Sequence, residues 1–257
     1  MRLKRLFDVL LSLNLAILIS PIIGIAAFFI YIQDLKSPFY ISDRVGLKNK
    51  TFKMIKLRSM ISGSDLTGID STSNSDSRIT PVGKFIRKLK IDELTQLFNV
   101  VKGDMSLVGP RPNVKRETET YTLVEKKLLT VRPGITDFAS IVFADEGKIL
   151  EGQPDPDLSY NQLIRPIKSK LGIFYVENRN FAIDLTIMIL TLTSVFSRSI
   201  ALRLMCHYLR KLNAPKSLIL QSSRQNRLVP MAPPGSDHIV MSRLNKANNQ
   251  FQDRKNI

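Results

Sequence analysis

Residues 9–32 carry no charged side chain and are apolar almost throughout. About twenty such residues reach across the hydrocarbon layer of a bilayer, so the N-terminal segment is built for lipid. A cleaved secretory leader is disfavoured, because the run is too long and lacks a clear small-residue cleavage site. A simple spanning helix is disfavoured by two further features. Pro21 stands in the middle of the run, where it removes a backbone bond and crowds the carbonyl of Ile17, while Ser20 can offer its hydroxyl to that carbonyl. Basic residues also flank both ends, Arg2, Lys4 and Arg5 before and Lys36, Arg44, Lys48 and Lys50 after. Basic flanks favour the cytoplasmic side. A helix broken at Ser20–Pro21 that returns to the face it entered from satisfies both flanks, and the reading is a re-entrant membrane helix over residues 1–36.

The rest of the chain is long enough for one globular core with extras. The formal net charge of the whole chain, +16, calls for an anionic partner, whether nucleic acid, lipid headgroup or phosphorylated substrate. From Ser197 onward eleven Lys and Arg stand against two Asp, which places +9 of that charge in the last stretch. That stretch also carries Pro230, Pro233 and Pro234, and residues 197–257 read as a basic, disordered tail. A single cysteine, Cys206, excludes an intrachain disulfide. His207 and His238 have no zinc spacing, and no Walker loop or dinucleotide fingerprint occurs.

Between the two extremes lies a catalytic-sized unit, residues 37–196. Segments 39–45 and 51–58 alternate like strands around a turn at Gly46, which predicts a hairpin. Residues 59–77 read as a loop. Pro81 opens an amphipathic helix, a second helix begins near Asp92 and ends at Gly103, and residues 117–131 and 157–179 read as helices. Phe181 to Phe196 is apolar but short, and suits an interfacial or packed helix. The fold class is α+β, mainly helical, with one small hairpin.

Asp92 and Glu93 are adjacent carboxylates at a helix start, a common place for acidic residues. Their surroundings are less common. Lys56, Arg58, Arg87 and Arg111 sit on flanking elements where they can converge on a phosphate, and prolines on either side of Arg111 stiffen its backbone. Hard carboxylate oxygens beside substrate phosphates also suit Mg²⁺.

Residues 92–112, from Asp92-Glu93-Leu94-Thr95-Gln96-Leu97 to Gly109-Pro110-Arg111-Pro112, strongly resemble the signature of the bacterial sugar transferase family, the monotopic polyprenyl-phosphate phosphoglycosyl transferases. Matching pieces stand in family order: Lys4-Arg5-Leu6-Phe7-Asp8, Ser20-Pro21, Lys56-Leu57-Arg58-Ser59-Met60, Arg78-Ile79-Thr80-Pro81-Val82-Gly83, Val131-Arg132-Pro133-Gly134-Ile135-Thr136 and Tyr175-Val176-Glu177-Asn178. The resemblance covers roughly residues 1–196 and is closest to the small form of the family. It implies transfer of a sugar-1-phosphate from a UDP-sugar to undecaprenyl phosphate with release of UMP, an early membrane step of surface-glycan assembly. It implies Asp92 as the covalent nucleophile and Glu93 as the Mg²⁺ ligand, with Lys56, Arg87 and Arg111 on the phosphates. The place it implies is the cytoplasmic face of the bacterial inner membrane, among membrane lipids; assembly into a homo-oligomer stays open.

The chain departs from the family at two places. Thr95 replaces a common Pro, which predicts a less rigid helix start. Asp137-Phe138-Ala139-Ser140-Ile141 replaces a Trp-containing stretch that adjoins the donor, so the sugar is undetermined. The competing reading is a membrane-tethered basic adaptor. As a nucleic-acid binder it lacks aromatic residues interleaved with the basic ones, so nucleic acid is not expected as a partner, and an adaptor leaves residues 92–112 without a purpose.

Overall fold

The computed structural model describes residues 2–68 and 70–242. The apolar segment forms one helix, α1 (Arg2–Asp34), with Pro21 inside it. The expected break at Ser20–Pro21 is therefore not a separation into two helices. Pro21 cannot donate to the Ile17 carbonyl, and Ser20 Oγ donates to it instead at 2.8 Å, so the helix continues past the proline with that acceptor satisfied.

α1 is bound to the rest of the protein along its whole length. Near its start, Lys4 Nζ meets Asp184 at 2.5 Å and Arg5 Nη1 donates to the Val100 carbonyl at 2.7 Å. Asp8 accepts from Ser106 Oγ at 2.7 Å. In the middle, Ala16 joins the main core; further on, Ile23, Ala26 and Ile30 pack with Leu57 and Ile86 in a smaller cluster. At its end Asp34 takes both terminal nitrogens of Arg58. The opposite side exposes Leu10, Leu13, Ile17, Leu18, Ile25, Phe28 and Phe29, an apolar surface far larger than a water-facing helix carries.

The predicted hairpin is present as β1 (Phe39–Val45) and β2 (Thr51–Leu57), antiparallel, with Tyr40 opposite Lys56. Thr80 caps α2 (Pro81–Lys88) by accepting from the Gly83 N–H. α3 (Gln96–Lys102) stops where Gly103 adopts a left-handed conformation, as a C-terminal glycine permits. The short apolar piece after it is a strand, β3 (Ser106–Val108), parallel to β4 (Gly134–Thr136). Gly109 and Gly134 let these strands touch: a Cβ on Gly134 would lie 2.1 Å from the Gly109 nitrogen.

The helix expected over residues 117–131 is not formed. A single turn, α4 (Lys115–Thr118), gives way to a separate 3-10 turn over Glu125–Thr130. Thr122 and Glu125 cap one another, each side chain accepting from the other's backbone N–H at 3.1 Å, a reciprocal arrangement that starts a new turn. Glu125 is fully buried against Arg165. The stretch over 157–179 is helical as expected, but in pieces. After the short α5 (Phe138–Val142), α6 (Glu146–Ile149) and α7 (Pro156–Ser159), a wider π-turn over Tyr160–Ile164 leads into α8 (Arg165–Asn178). Pro166 lacks the N–H that an unbroken helix would need there. α9 (Phe181–Phe196) buries Ile183, Ile187 and Leu190 and exposes Ile189, Leu192, Val195 and Phe196.

The expectation of a disordered tail from Ser197 fails over most of its length. α10 (Arg198–Lys211) and α11 (Lys216–Ser223) are ordered, and Ala201, Met205, Leu209 and Leu218 belong to the main core. Their charges masked an amphipathic pattern: Ala201, Met205 and Leu209 recur every four residues while Arg203 and Arg210 face out. Residues 243–257 of that expected tail lie outside the described residues. If α10 is a core helix, Leu209→Ala costs about 2–5 kcal/mol, read from the chemical denaturation midpoint. A midpoint equal to wild type would restore the solvated-tail reading.

Candidate active site

β2 is the element on which the site is built, and its open edge is closed by side chains. Asn99 donates to the Lys53 carbonyl at 2.7 Å and accepts from the Ile55 N–H at 3.0 Å, as a neighbouring strand would. Thr95 Oγ1 donates to the Ile55 carbonyl at 3.0 Å. The prediction that Thr95 loosens the helix start is thus reversed, because the fully buried hydroxyl ties the start of α3 to the strand that carries Lys56.

Between α2 and α3 the chain must turn sharply. Lys90 does so with a φ of 57°, a left-handed conformation that costs an ordinary residue roughly 1–2 kcal/mol. The 3-10 turn that follows, Ile91–Glu93, holds both carboxylates. Arg111 arrives from the other side on the loop after β3. That loop is fastened to β4 by Gly109 N–H to the Thr136 carbonyl and Gly134 N–H to the Pro110 carbonyl, both 3.0 Å.

Glu93 is enclosed by cations. Arg111 grips it with two nitrogens, Nη1 to Oε2 at 3.0 Å and Nη2 to Oε1. Lys56 Nζ lies 3.2 Å from Oε1. Burial alone would raise the Glu93 carboxyl, but Arg111 and Lys56 outweigh it and hold the group well below the usual carboxylate range. Asp92 is in the opposite condition. It is 7% exposed, and among the described residues no side chain hydrogen-bonds its carboxylate. Burial pushes it up, with the Glu93 charge adding, against the pull of Lys56, Arg87 and Arg111. Two neighbouring carboxylates are thereby driven apart in acidity, which is how environment assigns them different chemical roles.

Of the other predicted residues, Arg87 is near enough for its charge to act on Asp92, and its Nη1 reaches Ser59 Oγ at 3.5 Å. Arg58 is not brought to the site by its side chain. All its donors are taken by Asp34, Ser62 and the carbonyls of Lys36 and Ser37, so it fastens the end of α1 to the end of β2. Residues that the sequence reading missed complete the surroundings. Arg44, half-buried, is pushed down by burial and by the nearby Arg111. It follows Tyr40 at strand spacing on the face that Lys56 shares, so a hairpin register would have found it. Glu146, Tyr160 and Lys168 come from distant segments that no local pattern connects.

The family model for bacterial sugar transferases matches residues 1–198, and the chain belongs to that family. It is 32% identical over 206 residues to a UDP-N-acetylgalactosamine-undecaprenyl-phosphate N-acetylgalactosaminephosphotransferase of Aeromonas hydrophila, covering 76% of this chain and 44% of that protein. An undecaprenyl-phosphate glucose phosphotransferase of Komagataeibacter xylinus is 33% identical, covering 76% of this chain and 36% of that protein. The uncharacterized sugar transferase EpsL of Bacillus subtilis is 36% identical, with 76% and 88% covered. The chain thus spans less than half of the first two relatives and most of the third. α11 and most of α10 lie beyond the residues that the family model matches.

The divergent environments of the carboxylate pair give opposite stability effects. Asp92 has a raised folded-state pKa, so at neutral pH its charge opposes folding, and Asp92→Asn should raise the melting temperature. Glu93 has a depressed one, so its contribution is present above the unfolded carboxylate range, near 4.3, and is lost only in more acid solution. Glu93→Gln should lower stability at neutral pH by about 1–3 kcal/mol, because Arg111 and Lys56 lose their counter-charge. Thermal melts of both variants that shift in the same direction would contradict this assignment.

Proposed function

We propose that the protein transfers a sugar-1-phosphate from a UDP-sugar to a polyprenyl phosphate, undecaprenyl phosphate in bacteria, with release of UMP. The observation that carries this is the split pair: Glu93, paired with Arg111 and Lys56 and held well below the usual carboxylate range, beside a buried Asp92 whose carboxylate has no hydrogen-bonded side-chain partner among the described residues. Such an Asp is poorly solvated as an anion, which favours attack over rest. The family membership and the relatives' printed activities support the same reading.

Lys56 and Arg111 are ready for a diphosphate, whose oxygens can replace Glu93 as their ligand, and Arg111 matches a phosphate edge with paired donors. The Asp92 carboxylate then attacks the sugar-bearing phosphorus. The bond from that phosphorus to the bridging oxygen breaks, and the electron pair leaves with UMP. The sugar phosphate stays on Asp92 as an acyl phosphate until an oxygen of the lipid phosphate attacks the same phosphorus and frees the carboxylate. Arg87 and Lys56 face the anionic oxygens in both halves. The donor set also fits Mg²⁺: Glu93 with Asp92 beside it offers hard oxygens in the small number that Mg²⁺ combines with substrate phosphates. The ion, when bound, would neutralise the diphosphate as Glu93 releases its cations.

The acceptor's prenyl chain requires a site at the membrane surface. Both ends of α1 are attached to one folded body, Lys4 to Asp184 and Asp34 to Arg58. A straight crossing of about 30 Å of hydrocarbon would separate them. This supports a helix that enters and leaves on the cytoplasmic side of the inner membrane, its exposed leucines, isoleucines and phenylalanines in lipid. Cysteines introduced one at a time, as Leu3→Cys and Lys36→Cys, should both resist an impermeant thiol reagent added to whole cells. Labelling of either one places that end outside and rules out this topology.

The chemical step is tested by trapping. With UDP-sugar labelled in the sugar phosphate and no lipid acceptor, wild-type protein should keep label through denaturation. Asp92→Asn should keep none, and its turnover should fall by orders of magnitude. Equal retention by Asp92→Asn and wild type would remove Asp92 as the nucleophile.

A further inference from the structure

Glu146 and Lys168 form an ion pair of 2.6 Å, and Lys168 lies over the ring of Tyr160 at 5.2 Å. All three side chains are half-buried. They adjoin the catalytic pair without taking part in it. Arg111 and Lys90 act on Glu146 as they act on Glu93, so both carboxylates lie within reach of the same cations. A carboxylate beside a diphosphate site repels phosphate, and what suits it is a hydroxyl donor. An aromatic ring and an ammonium next to it complete the usual recognition set for a hydroxylated ring, a C–H face against the aromatic surface and hydroxyls on the charges.

Two parts of the donor are hydroxylated rings, the sugar and the ribose. The surrounding architecture favours the sugar. Glu146 follows Asp145, and Asp145 is held by the part of the chain that lies at or beyond the end of the family-model match. Arg198 Nη2 donates to Asp145 Oδ1 and to the Val142 carbonyl, each at 2.9 Å, and Arg224 Nη1 reaches Asp145 Oδ1 at 3.2 Å from above the Phe143 ring. The chain then runs back along the other carrier of the site. Met231 N–H donates to the Gln162 carbonyl at 3.0 Å, and Gln162 Nε2 donates to the Val240 carbonyl at 2.7 Å, within the π-turn that begins at Tyr160. A segment outside the family-matched region thus fastens both halves of this cluster. The relatives' printed names differ in the sugar they carry.

The geometry points to a sugar subsite formed by Glu146, Lys168 and Tyr160, with the C-terminal extension from Arg198 to Val240 as the brace that sets its shape. This rests on the proposed transferase reading and adds the part of the donor that the site selects. Arg198 and Arg224 are positioning residues, since they reach the subsite only through Asp145.

The test is the affinity of the full-length, detergent-solubilised protein for UMP, UDP and a panel of UDP-sugars, including UDP-N-acetylgalactosamine, UDP-galactose and UDP-glucose. Wild type should bind one UDP-sugar better than UDP. Glu146→Ala should weaken that UDP-sugar by about tenfold, the loss of a charge-assisted contact, and leave UMP and UDP within about twofold of wild type. Unchanged UMP binding also certifies that the variant is folded. Arg224→Gln should shift the same preference in the same direction by a smaller factor. Equal weakening of UDP and UDP-sugar by Glu146→Ala would assign the cluster to the ribose and overturn the sugar subsite. A lowered melting temperature with all affinities intact would reduce the cluster to a structural ion pair. Arg224→Gln without effect would overturn the brace. Wild-type protein that binds neither UMP nor any UDP-sugar would instead defeat the transferase reading itself.

Discussion

The Glu93 carboxylate, bridged to Lys56 and Arg111, is the contact on which the site depends. It joins a hairpin strand, a tight turn and a loop between two prolines. Each partner would be costly to bury alone, and the three together are tolerable because the charges answer one another. The pairing also leaves Asp92 outside it. One residue away along a 3-10 turn, the second carboxylate is buried with no hydrogen-bonded side-chain partner among the described residues, and the proposed chemistry rests on that asymmetry.

The membrane helix is not an appendage to this unit. Ala16 belongs to the main core, while Ile30, Leu57 and Ile86 close a second one. Asp34 holds Arg58 at the end of the strand that bears Lys56, only two residues away. The placement of α1 against the body and the placement of Lys56 are therefore linked through β2. Under the proposed function, an apolar helix that doubles as a core element would bring a water-soluble donor and a prenyl chain to the same surface.

Local patterns were legible where a short-range rule governs the outcome. The hairpin, the Pro81 helix start and the Gly103 stop all follow from alternation or capping, and each is in place. The Ser20 hydroxyl serves the Ile17 carbonyl as the chemistry of a proline-containing membrane helix requires. The errors arose where composition stood in for pattern. Eleven basic residues after Ser197 concealed the four-residue spacing of Ala201, Met205 and Leu209. The apolar content of 117–131 concealed the Thr122–Glu125 capping box. Arg58 looked like a phosphate ligand by its position near Lys56, yet it lies just past the end of β2, where Asp34 at the end of α1 takes its guanidinium.

The sequence by itself determined the family, the carboxylate pair, the candidate cations Lys56 and Arg111, and the apolar helix with its serine-rescued proline. Those are properties of contiguous residues, whose spacing and chemistry are readable one segment at a time. Only the tertiary structure decided that Arg111 and Lys56 close on Glu93 rather than Asp92, that Arg58 serves α1, and that Glu146, Tyr160 and Lys168 meet beside the site under a C-terminal brace. Those contacts join residues far apart in the chain. Their selection comes from packing and from the mutual neutralisation of buried charges, which act through space and leave no periodic trace in the order of amino acids.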